Sequence, residues 1–167
     1  MMKRYTPLFF SLIFLVSFAR AQENFCGINN TSFYPGEEIT FKVFYNLGKI
    51  YVAAGEAKFT VSLEKFNGNT VYHVVGEGKT YKTYDWFFKV RDRYESYIDT
   101  SNMLPLKFIR NVNEGGYRKY NNVTFNQSMH SAVSTNGVFK VPNCIQDVIS
   151  SVYYARNIDF NQYKPED

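Results

Sequence analysis

The stretch Ala57-Lys58-Phe59-Thr60-Val61-Ser62-Leu63-Glu64 alternates apolar and polar side chains without a break. A period of two puts every second side chain on the same face of an extended chain. It marks a half-buried antiparallel strand. Upstream, Ile39, Phe41, Val43 and Tyr45 repeat the pattern against Thr40, Lys42 and Asn46, and Pro35-Gly36 ahead of them suits the centre of a type II turn. Downstream, Asn67-Gly68-Asn69 is a hairpin signal leading into a strand over Val71 to Gly78, whose Gly76 and Gly78 admit a bulge or a close backbone approach.

Residues 81–88 interrupt the alternation, which resumes at Val90, Asp92, Tyr94, Ser96 and Ile98. Leu106, Phe108 and Arg110 continue it after Leu104-Pro105, and Glu114-Gly115-Gly116 forms a tight turn. Strands over 117–126 and 129–134 follow, and Thr135-Asn136-Gly137 turns into Val138-Phe139-Lys140-Val141. Seven or eight short strands at near-regular spacing predict a mainly β domain, an antiparallel curved sheet or barrel-like.

One segment has a different period. Ile145, Val148, Ile149, Val152 and Tyr153 recur at helical spacing, and Asn143 with Gln146 resembles a capping box after Pro142. The spacing predicts one amphipathic helix over about 143–157, with its apolar stripe against the sheet. No closing strand follows it, so the 22–167 domain reads as C-terminally incomplete.

The N-terminus reads as an export signal. Lys3 and Arg4 precede an apolar run from Leu8 to Phe18, and Ala19-Arg20-Ala21 matches an A-x-A cleavage site. Cleavage after residue 21 lowers Lys+Arg from 19 to 16 against 15 Asp+Glu, so the basicity of the whole chain is mostly targeting. That leaves no argument for a nucleic-acid partner. No later apolar run approaches the ~20 residues of a transmembrane span. With 16 Phe, 14 Tyr and one Trp, the chain has ample material for a core.

Export means an oxidising compartment. A bridge between Cys26 and Cys144 closes a loop of over a hundred residues. On a chain-entropy account it contributes about 4–5 kcal/mol. Two separate inert thiols are the alternative. Glu23-Asn24-Phe25 before Cys26 lacks the small residues of a lipid-attachment site, which favours a soluble, cleaved form.

Several blocks together carry a family likeness: Pro35-Gly36-Glu37, Ala54-Gly55-Glu56, Asp85 to Asp92, Glu114-Gly115-Gly116, Cys144 with Asp147, and Ala155-Arg156. In order and spacing, residues 33–167 resemble exported bacterial proteins grouped as domain of unknown function 3108. The resemblance implies a bacterial envelope protein, and a Bacteroides-like flavour points to the periplasm. It also implies further strands after the helix. It brings no activity and no catalytic residue.

The candidate chemistry is sparse. Tyr81, Tyr84, Trp86, Phe87 and Phe88 offer apolar faces with some polar tips, suited to lining a pocket or stacking on a sugar, or else to plugging one end of a barrel. Alternation puts Asp92 on the apolar side with Val90 and Tyr94, where a carboxylate needs a cation or several donors, and Arg110 or Arg118 is the expected partner. Asp85, Asp92 and Glu114 are the carboxylates from which a glycosidase pair would have to come. His73 and His130 sit in separate strands and form no metal-ligand pattern. No phosphate-loop or nucleophile-elbow motif is present, so no cofactor, metal or catalytic residue is assigned. The expectation is a non-enzymatic periplasmic binding protein for an apolar or amphiphilic envelope molecule, with a lipid, amphiphile or glycan as ligand. An envelope interaction or assembly module is the alternative, and a carbohydrate-acting hydrolase the more distant one.

Overall fold

A computed structural model describes residues 26–164, so the expected signal segment 1–21 lies outside the described residues. Eight strands run in chain order: β1 Glu38–Leu47, β2 Ile50–Phe66, β3 Asn69–Thr80, β4 Arg91–Asp99, β5 Pro105–Glu114, β6 Tyr117–Asn126, β7 Ser131–Ser134 and β8 Gly137–Lys140. Each pairs antiparallel with the next, giving one sheet ordered β1 to β8. The sheet is open, which corrects the barrel-like alternative. β1 and β8 have one neighbour each, and the last two strands have only four residues apiece, too few to form a ladder along the ten of β1.

The turns form where local chemistry allows them. Asn67 and Gly68 both take positive φ (49° and 85°), the geometry of a two-residue type I′ hairpin. The Pro35-Gly36 turn closes with the Glu37 N–H donating to the Tyr34 carbonyl at 3.1 Å.

β2 has 17 residues, well beyond the alternating stretch that announces it. A bulge explains the difference. Val43 pairs with Gly55 but Phe44 pairs with Ala53, which leaves Ala54 as the extra residue. The bulge shifts side-chain parity. Val43 and Tyr45 of β1 therefore line one common hollow with Ala54 and Ala57 of β2, although the spacing of the two alanines breaks the period of two.

The core lies on one face of the sheet. Val61, Val74, Ile98 and Phe108 pack there with Met103, with Phe33 from the N-terminal segment, and with Ile149 and Tyr153 from the helix. Burial of a side chain of this size contributes roughly 1.5–3 kcal/mol. The other face carries ion pairs: Lys58–Glu38 at 2.9 Å, Lys79–Glu56 at 2.8 Å and Arg93–Glu77 at 2.7 Å. His73 stands there between Glu64 (2.7 Å) and Glu95 (2.8 Å), stacked on Tyr97.

The helix, α1, runs Val148–Ala155, shorter than the expected 143–157. Its N-cap is Asp147, whose Oδ1 accepts from the N–H groups of Ile149 (2.8 Å) and Ser150 (2.9 Å), while Ser150 Oγ accepts from the Asp147 N–H at 2.8 Å. The capping box is thus Asp147–Ser150, not Asn143–Gln146. Cys144 explains the late start: its φ is +61°, outside right-handed helix, and a disulfide joins it to Cys26 with the Cα atoms 5.4 Å apart. The expected stripe is also divided. Ile149 and Tyr153 are buried, but Val148 and Val152 are 62% and 51% exposed.

Polar contacts seat the helix and the N-terminal segment. Ser96 Oγ, fully buried on β4, donates to Asp147 Oδ2 at 2.7 Å. Burial pushes the Asp147 carboxyl above its ordinary value, against the opposing hydrogen bonds from Ser150, Ser96 and Ile149. Arg156 grips the Glu37 carboxylate with both terminal nitrogens (2.6 and 2.8 Å) and lies over the rings of Phe33 and Tyr153. Among the described residues, no helix is long and apolar enough to cross a membrane.

Candidate functional site

The segment that interrupts the alternation is a loop anchored at its base. Thr80 Oγ1 donates to Asp85 Oδ1 at 2.8 Å and accepts from the Val90 N–H at 3.1 Å. Arg91 holds both Asp85 oxygens (3.1 and 2.6 Å) and also donates to the carbonyls of Thr80 and Val90. The Thr80 hydroxyl, with the Arg91 guanidinium, holds the Asp85 carboxyl below its ordinary value although partial burial opposes it. The two ends of the loop are therefore fastened together, and a 3₁₀ turn over Lys82–Tyr84 turns the chain between them.

This anchoring places Tyr84, Phe87 and Phe88 opposite Tyr45, Val52 and Ala54 around a cleft of about 520 Å³. The Phe88 ring rests on the hairpin backbone at Gly115, where a β-carbon would overlap it. Gly115 and Gly116 take φ of 52° and 95°, and the Gly115 N–H donates to the Lys89 carbonyl at 2.9 Å. The Glu114-Gly115-Gly116 signal is thus a turn and also a seat for Phe88. Trp86 packs edge-on against Phe87 at 5.9 Å between centroids, and these two residues are 83% and 79% exposed. Neither plugs an interior. Tyr81 lies outside the lining and ties the loop to β2, its N–H donating to the Ala54 carbonyl at 2.9 Å.

The cleft continues along the same face. A hollow of about 230 Å³ shares Tyr45, Ala54 and Thr80 with it and has Glu114 on its wall. A further hollow of about 220 Å³ shares Ala57 and Gly78 and ends at Asp92, Val148 and Ile149. Asp92 is thus on the apolar side, as alternation implies, but its expected partner is wrong. Among the described residues no ion pair joins it to Arg110 or Arg118. Arg110 turns to Asn121 on β6 (2.9 and 3.3 Å). Asp92 Oδ1 accepts from the Asn113 N–H at 2.9 Å. The Asp92 carboxyl also lies within hydrogen-bonding reach of Glu114, and that contact, with their mutual repulsion and some burial, raises Glu114 above its ordinary value.

Tyr84, Phe87, Phe88 and Asp92 therefore come to one face, while Trp86 borders it and Tyr81 and Asp85 act in the loop's anchorage. Sequence reasoning missed Tyr45, Val52 and Ala54. The non-alternating run Tyr51 to Gly55 was the available signal, since a break in period two marks a bulge. The opposite face has a smaller polar hollow of about 250 Å³ walled by Lys58, Glu77, Lys79, Arg91 and Arg93, whose charges are engaged in ion pairs, and Asp92 borders this hollow as well. Among the described residues no group of three or more His, Cys, Asp or Glu is placed to hold a metal ion.

Residues 40–167 match the family described as "Protein of unknown function (DUF3108)", and the chain belongs to that family. No curated protein and no solved structure matches the chain.

Proposed function

We propose that this DUF3108 chain is an exported, non-enzymatic binding protein whose ligand is an apolar or amphiphilic molecule of the bacterial envelope. The observation that carries the reading is the aromatic cleft of about 520 Å³ beneath an anchored loop. Its volume falls within the roughly 300–1,000 Å³ common for small-molecule sites, and its walls are ring faces and small aliphatic groups with a few hydroxyls. Trp86 and Phe87 stand in water at its rim, an arrangement that favours a ligand able to cover them. Export is supported by the Lys3-Arg4, Leu8 to Phe18 and Ala19-Arg20-Ala21 pattern, and a disulfide suits an oxidising compartment. Glycosidic cleavage calls for carboxyls about 5 Å apart or more, whereas Asp92 and Glu114 are within hydrogen-bonding reach.

The chain's one tryptophan borders the cleft, so its emission reports on this site. Titration with the apolar fluorophore N-phenyl-1-naphthylamine should quench Trp86 as the probe brightens. Phe87→Ser removes a lining ring that is already exposed, and should weaken binding about tenfold without unfolding the protein. Equal probe affinity in the variant, with Trp86 emission unmoved, would refute the reading. The alternative, an interaction module, draws on the open β1 edge, where Phe44 and Tyr45 are about half exposed. It predicts a defined complex on purification from the native host, and recovery of the bare monomer would count against it.

A further inference from the structure

The three adjoining hollows share lining residues, so the aromatic cleft is one end of a longer groove. Its floor is built largely from small residues, Ala54, Gly55, Ala57 and Gly78, and toward α1 the Phe59 ring lies over Gly76 with Tyr94 beside it, so the end next to the helix is walled by aromatic rings. At Gly78 an added β-carbon would meet only the Asp92 Cβ, at 3.8 Å. Such a floor suits an extended chain better than a compact ring. The groove ends beside two aliphatic residues of α1, the exposed Val148 and the buried Ile149, so apolar surface runs its whole length.

The charges along the groove are unequal. Asp92 and Glu114 put two carboxyls on its wall, in contact with each other. The other charged groups that border it are already paired: Glu56 with Lys79, both on the wall of the middle hollow, and Glu77 with Arg93. Arg110, the cation on the same face of β5, hydrogen-bonds Asn121 on β6 and, among the described residues, forms no ion pair with Asp92 or Glu114, though its charge acts on the Tyr94 hydroxyl as theirs do. Among the described residues, the backbone hydrogen bond to this pair comes from the Asn113 N–H, donated to Asp92 Oδ1. Two adjacent carboxylates in an apolar groove repel each other, and a cation between them converts that repulsion into two attractions. An anionic head would meet a third like charge instead.

We propose that the occupant is a single-chain amphiphile with an ammonium head, its chain in the aromatic cleft and its head between Asp92 and Glu114. This assignment rests on the binding reading above and narrows it by charge complementarity. It excludes fatty acids and other anionic single-chain lipids as the preferred ligand.

The test uses three probes of one chain length, dodecylamine, dodecanol and dodecanoate, at pH 7 and below their micellar concentrations. Binding is read by Trp86 emission and by native mass spectrometry. Dodecylamine should bind at least about tenfold more tightly than dodecanoate, with dodecanol between them. In the double variant Asp92→Asn with Glu114→Gln, that order should collapse while dodecanol affinity is kept. Both substitutions are near-isosteric. The amide oxygen that replaces the Asp92 carboxylate oxygen still accepts from the Asn113 N–H, so the variant retains the local hydrogen bond. Equal binding of all three chains, or a preference for dodecanoate, overturns the head-group assignment and leaves the binding reading standing. Failure of all three to bind overturns both.

Discussion

Asp147 joins the helix to the sheet, and its replacement separates two contributions that are usually entangled. Asp147→Ala removes the acceptor for the Ile149 and Ser150 N–H groups, a cap contribution of about 1 kcal/mol. It also strands the buried Ser96 hydroxyl, at a cost of about 1–3 kcal/mol. Relief of the buried carboxylate offsets part of this, so the expected net loss is about 2 kcal/mol, or roughly 6–10 °C in Tm. Asp147→Asn should behave differently. Its amide oxygen keeps both capping bonds, and its NH₂ donates to a Ser96 hydroxyl that reverses its role. It should stay within about 1 kcal/mol of wild type.

The pH dependence fixes the sign. Burial raises the folded-state pKa of Asp147 above its ordinary 3.8, so the folded protein binds the proton more tightly than the unfolded chain does. Wild-type stability therefore falls as pH climbs from the ordinary value through the raised one, and the penalty is constant above that. An asparagine at this position has no such window. The difference between Asp147→Asn and wild type should move in favour of the variant with rising pH and level off. Urea unfolding followed by circular dichroism between pH 3.5 and 7 measures it, with every other carboxyl common to both proteins. The reasoning fails if Asp147→Asn is as damaged as Asp147→Ala at pH 7, or if its relative stability falls as pH rises.

Replacing both cysteines, Cys26→Ser with Cys144→Ser, opens a loop with a sequence separation of 118; chain entropy gives a loss of about 5 kcal/mol, read as the difference in urea unfolding free energy. Gly115→Ala strains a position at φ +52° and displaces Phe88, so it should lose about 1–2 kcal/mol and weaken N-phenyl-1-naphthylamine binding together, measured by unfolding and titration. Arg91→Ala releases Asp85 and the loop base; amide exchange should rise over 81–90 and stay unchanged in β5 and β6. Because the Asp85 pKa is lowered, the loop's anchorage is present above the ordinary carboxylate value of 3.8 and is lost only as pH falls through the depressed value, which amide exchange measured across an acid series checks.

Much of the fold was legible because its signals are local. The alternation of β2 and β4, and the positive-φ residues at Asn67-Gly68 and Gly115-Gly116, depend only on neighbours along the chain. The helix was legible in kind but not in extent, since its start is set by the backbone at Cys144 and by a cap that reaches Ser96 on a strand 51 residues away. The aromatic half of the cleft was visible as the unusual run from Tyr81 to Phe88. Its other half was hidden by the Ala54 bulge, because one extra residue exchanges the two faces of a strand.

Taken alone, the amino-acid order determined where strands and turns form, because side-chain period and backbone preference act over a few residues. Only the tertiary structure decided that the sheet stays open, that Tyr45 and Val52 face Phe87, and that Asp92 meets Glu114 rather than Arg110. Each of these depends on the register between strands. Register is set by turns, bulges and shared burial over the whole sheet, and no single strand carries that information.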